Sequence, residues 1–181
     1  MNVSNDKILR YVAGICFIVD AALTIILQTG FSGWLIVGIG SRLLVAISLF
    51  TSMPVFLTIG SAVFLISCSY NLAHNLMHFS LYYYDWGYIV VIISLSLNFA
   101  VWMLLLIAGI NRKFYRRLCI SSGILSLFRI AITLVLDIIQ LLTGFGNSGM
   151  AINFIYVVVE TIGILLMGLS VPKKITGNNN S

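Results

Sequence analysis

Apolar residues fill six long stretches of the chain, at about 8–29, 33–52, 54–76, 87–110, 119–143 and 150–171, separated by short segments rich in glycine, proline or charge. A hydrocarbon layer about 30 Å thick takes roughly 20 apolar residues to cross as a helix. The pattern therefore predicts an all-α, polytopic integral membrane protein, a bundle of six transmembrane helices forming one membrane domain over residues 1–172. A polar disordered tail is expected at 173–181. The two prolines fit this division. Pro54 falls in the first turn of the third segment and Pro172 just past the sixth, where a missing N–H does least harm. Gly30 with Gly33, and Gly144 with Gly146 and Gly149, mark the first and fifth connections as tight turns.

Within the fifth segment the polar residues are periodic. Ser122, Ser126, Arg129, Thr133, Asp137 and Gln140 are spaced four, three, four, four and three apart. At 100° per residue all six fall within a sector of about 80°, so one helix face is polar from end to end. The opposite face, with Ile124, Leu127, Ile132, Leu134 and Ile138, is apolar. The sixth segment (Asn153, Tyr156, Glu160, Gly163), the first (Asp20, Thr24, Gln28) and the second (Gly38, Ser41, Val45, Ser48 and Ser52, with Arg42 alongside) repeat the pattern more weakly. Four helices are thus expected to turn such faces to a common centre.

Five ionisable residues lie inside the apolar segments: Asp20, Arg42, Arg129, Asp137 and Glu160. At mid-helix each costs at least ~2.5–3.5 kcal/mol on insertion scales, so each needs protein or water around it and a partner. Counted outward from the turn near residue 31, Asp20 and Arg42 each lie about 11 residues down their helices and so share a depth. They are expected to pair. In the last hairpin Glu160 falls between Asp137 and Arg129 in depth, which predicts a cluster of Arg129, Glu160 and Asp137. Three acids then face two bases.

Composition sharpens the class. Of 181 residues 60% are hydrophobic and 8% charged, with a mean hydropathy of +1.09, which leaves no room for a separate water-soluble catalytic or nucleotide-binding domain. The net charge of +5 is read as membrane orientation rather than nucleic-acid binding. Lys7, Arg10, Arg112, Lys113, Arg116, Arg117, Lys173 and Lys174 all fall in the segments that share a side with the N-terminus, and no Lys or Arg falls in a connection on the other side. Both termini are therefore expected to be cytoplasmic, the bilayer being the plasma membrane. The first segment runs on to about Gln28 without a small-residue cleavage site and reads as a retained span rather than a signal peptide. The aromatic cluster Tyr82, Tyr83, Tyr84, Trp86 and Tyr88 suits an interfacial belt on the outer side.

Cys16, Cys68 and Cys119 have no CxxC spacing and read as small apolar packing residues. His74 and His78, one turn apart, form a weak metal-ligand candidate with Asp85; the competing reading is a helix end emerging into headgroups. No other metal and no cofactor is expected. No lysine lies within a predicted span, and GxSxG, HExxH and P-loop motifs are absent. The sequence therefore points away from an enzyme and towards a small transport or solute-binding membrane component. Asp20, Arg42, Arg129, Thr133, Asp137, Gln140 and Glu160 would line its proton, ion or small-solute path. The alternative is a non-catalytic structural or assembly subunit with other membrane subunits as partners, in which the same groups hold helices together.

Overall fold

The computed structural model describes residues 3–27, 33–79, 86–142 and 149–170. The turns containing Gly30 and Gly144, most of the aromatic connection around residues 80–85 and the tail beyond residue 170 lie outside them. Every long element is helical: α1 (Val3–Leu27), α2 (Gly33–Thr51), α3 (Pro54–Phe79), α4 (Trp86–Ile110), α5 (Tyr115–Leu142) and α6 (Gly149–Leu169). All six are long and apolar enough to cross a membrane. Several run past the apolar stretches that predict them. α1 begins at Val3 rather than near residue 8, and α5 at Tyr115 rather than 119. Backbone hydrogen bonding continues through charged turns, because Asp suits a first turn and Lys and Arg are good helix formers.

Each helix packs against its neighbours in sequence, and α6 closes onto α1, so the six make a closed ring. No other pair of helices makes comparable backbone contact among the described residues. Two glycines let backbones meet in this ring. A Cβ on Gly60 of α3 would stand 2.7 Å from the carbonyl oxygen of Ser41 on α2, and one on Gly168 of α6 would stand 2.9 Å from the backbone nitrogen of Ile120 on α5.

Between α2 and α3 the chain reverses in two residues. Ser52 takes φ 60°, the only positive value for a non-glycine residue among those described, and Pro54 then opens α3 with no N–H to satisfy. The Ser48 hydroxyl donates to the Met53 carbonyl at 2.9 Å and ties the turn to α2. At the same end of the bundle, Asn111 and a single 3₁₀ turn, Arg112–Phe114, join α4 to α5.

The interior is divided along its length. Towards the end that carries Lys7, Arg10 and Arg112 to Arg117, the centre is mainly apolar, filled by Ala13, Val45, Ala46, Leu49, Leu57, Leu105, Ala108, Cys119, Ile164 and Met167, with the buried hydroxyls of Ser61 and Ser122 among them. Towards the opposite end, packing loosens. Among the described residues, α4 has no fully buried side chain from Tyr88 to Ala100, and α5 has none beyond Thr133. The face of α5 bearing Ile124, Leu127, Leu134 and Ile138 is exposed, forming part of the bundle's apolar exterior.

Candidate functional site

Where the two halves of the interior meet, all six helices contribute to one polar network. Asp20 and Glu160 are 0% exposed, Arg42 1% and Arg129 6%. From α2, Arg42 Nε donates to Asp20 Oδ2 on α1 at 2.6 Å. Its Nη1 donates to the Gly38 carbonyl one turn back at 2.9 Å, and its Nη2 donates to the hydroxyl of Tyr156 on α6. The guanidinium carbon lies 4.5 Å from the ring centroid of Phe64 on α3, close enough for cation–π attraction in a desolvated site. Three of its polar contacts and one aromatic face thus come from four helices.

The second pair is built similarly. Arg129 Nη1 on α5 donates to Glu160 Oε2 on α6 at 2.5 Å and to Asn98 Oδ1 on α4 at 2.7 Å. The other Glu160 oxygen accepts from Trp102 Nε1 at 2.9 Å. Tyr156 joins the pairs, with its ring 5.1 Å from the Arg42 guanidinium carbon and 5.7 Å from that of Arg129. Asn98 Nδ2 extends the network to Cys68 Sγ on α3 at 3.4 Å. Two acids and two bases balance, yet one acceptor is left over. Asp20 Oδ1 is buried and has no hydrogen-bond partner, a costly state for a carboxylate oxygen that calls for a proton, a water or a ligand.

On the side of the apolar plug, Trp102 forms the network's floor. Its ring lies 4.1 Å from that of Phe64 and 6.4 Å, edge to face, from that of Phe17. The α5 stripe continues past the network in both directions. Ser122 Oγ donates to the Val101 carbonyl of α4 at 3.0 Å. Ser126 Oγ lies 2.7 Å from Thr161 Oγ1; the Thr161 hydroxyl already donates to the Val157 carbonyl, so Ser126 is the donor. Thr133 is buried on the same face.

Asp137 does not join the cluster expected of it. It is half-buried and belongs to neither ion pair, standing two turns, about 12 Å, beyond Arg129. Arg129 is turned instead to α4 and α6, where Asn98 and Glu160 hold it. The Gln140 side chain lies outside the described residues. So do His78 and Asp85 of the metal candidate, whereas His74 is exposed with its ring 6.1 Å from that of Tyr70. Among the described residues no group of three His, Cys, Asp or Glu could hold a metal ion. Sequence reasoning missed Asn98, Trp102 and Phe64, and with them the part played by α3 and α4. The available signal was the four-residue spacing of Asn98 and Trp102, which puts both on one face of the most apolar of the helices.

No known protein family matches the chain, and neither a characterised protein nor a solved structure does so. The geometry alone carries the functional argument.

Proposed function

We propose that the chain is a small transport or solute-binding component of the plasma membrane, in which the charged network at the centre of the ring serves a proton, an ion or a small solute. The six apolar helices would span the bilayer with both termini in the cytoplasm, since the described basic residues outside the network gather at the end that holds the N-terminus. The observation that carries the reading is an incompletely satisfied carboxylate buried beside the more loosely packed half of the bundle. Asp20 Oδ1 lacks a partner, a mainly apolar, closely packed core lies between the network and the basic end, and the opposite half is loosely packed. There Thr133 and the half-buried Asp137 continue the polar face of α5 outward. A solute would enter from that outer end and meet Asp137 first, then Asp20 and Glu160 with their arginines. The role is binding and translocation rather than catalysis.

The test is flux into proteoliposomes that hold a pH-reporting dye, under an imposed membrane potential, with protons and alkali cations offered in turn. Asp137→Asn and Glu160→Gln should each lower the native rate at least ~10-fold, the loss of ~1.4 kcal/mol of stabilisation along the path, in protein that remains helical. Full activity in both variants sinks the proposal.

A second reading has its own support. Ser122, Ser126 and both ion pairs each bond across helices, as groups that lock a bundle together would. A structural or assembly subunit would then lose yield of folded protein or complex in these variants, with no native flux to lose.

A further inference from the structure

At the basic end, remote from the network, a cleft of about 170 Å³ opens between the first turns of α1 and the last turn of α2, lined by Lys7, Arg10, Tyr11, Leu49, Phe50 and Ser52. We propose that this cleft is a phosphate-binding site, its ligand the phosphate of an anionic phospholipid headgroup or a free phosphate of the same chemistry.

Charge, donors and shape agree on this ligand. Two cations face the cleft; Asp6, one turn before Arg10, does not line it, although its Oδ1 is buried without a partner. Arg10 donates Nη1 to the Ser52 hydroxyl, which fixes the guanidinium across the mouth of the α2–α3 turn. Its Nε is buried and has no acceptor. A buried guanidinium N–H without a partner is costly, and a phosphate oxygen is the acceptor whose geometry an arginine fork matches. Ser52 uses its oxygen to accept from Arg10, so its own O–H proton is free to point at the same anion. Ser52 itself takes a left-handed conformation directly after the end of α2.

One wall is apolar. Tyr11 and Phe50 stack with centroids 5.7 Å apart, and Leu49 continues the wall inward. A diacylglycerol backbone fits beside such a wall while its phosphate meets the cations. The stretch of α1 suited to crossing a membrane starts at Asn5, which sets Lys7 and Arg10 at the level where hydrocarbon gives way to headgroups. Basic pockets between helices at that level are where anionic headgroups are recognised.

The experiment titrates purified full-length protein, in a micelle of neutral detergent, with short-chain phosphatidylglycerol in one arm and inorganic phosphate in the other. Bound ligand is read by native mass spectrometry and thermal midpoint by fluorimetry. Arg10→Gln and Lys7→Gln should each weaken binding about tenfold or more, the loss of one charge-assisted contact. Arg112→Gln, at the same end but outside the cleft, should bind as the native protein does. Should Arg10→Gln unfold, exposed Lys7 still provides the test. Saturable binding in the lipid arm alone assigns a lipid site, and binding of inorganic phosphate shows that the headgroup phosphate suffices. Binding in neither arm, or equal losses in Arg112→Gln and the two cleft variants, overturns the proposal. The central network is untouched throughout, so this result and the flux experiment fail independently.

Discussion

Replacing Glu160 by Gln separates the charge of the network from its hydrogen bonds. The amide keeps an oxygen that can accept from Trp102 or Arg129, as the carboxylate does at 2.9 and 2.5 Å, and its volume is nearly the same. What disappears is the negative charge beside a guanidinium that is 6% exposed. Breaking a buried pair by removing one partner costs about 3–5 kcal/mol, because the remaining charge stays in a low-dielectric interior. A hydrogen bond lost between membrane helices averages only about 0.6 kcal/mol. The two magnitudes differ enough to decide between causes. The charge account predicts a fall of roughly 100-fold or more in the folding equilibrium constant, measured by denaturant titration of the protein in micelles. The double variant Arg129→Gln with Glu160→Gln should recover much of the loss, since it leaves no unpaired ion. A single-variant cost near ~0.6 kcal/mol would refute the reasoning and show that water already screens Arg129.

Tyr156→Phe should cost about 1–3 kcal/mol, measured in the same titration, because Arg42 Nη2 loses the hydroxyl that accepts from it. Gly60→Ala and Gly168→Ala should each destabilise the fold by about 1–3 kcal/mol through backbone overlap, whereas Gly33→Ala, where an added Cβ would meet nothing within 4 Å, should leave the thermal midpoint unchanged. Ser126→Ala should cost less than any of these, about 0.6 kcal/mol, as the loss of one interhelical hydroxyl contact.

Much of the fold was legible in the hydropathy pattern, because six helices this long and apolar write long uninterrupted stretches into the sequence. The inward face of α5 was equally plain, since Ser122, Ser126, Arg129 and Thr133 keep a period near 3.6 and all are buried. Depth arithmetic placed Asp20 level with Arg42, and they meet at 2.6 Å. The same arithmetic put Asp137 too close to Arg129 and Glu160, since depth along a hairpin says nothing of where a long guanidinium turns. Ring order was not legible at all. Nothing in the sequence shows that α6 returns to α1, or that Trp102 and Asn98, in the most apolar of the helices, supply the floor and one wall of a charged site.

Ring closure by the last helix also has a consequence for biosynthesis. Asp20 and Arg42 are 22 residues apart and can neutralise each other as soon as the first hairpin has left the ribosome. Arg129 precedes its counter-ion by 31 residues, a delay of about 2–6 s at ordinary elongation rates. Tyr156, which joins the two pairs, also resides on α6. In the bilayer-spanning bundle proposed above, the nascent chain holds, until that helix is made, an uncompensated cation in its fifth segment and an open seam along α1, so a chain truncated before α6 should be a substrate for membrane quality-control proteases.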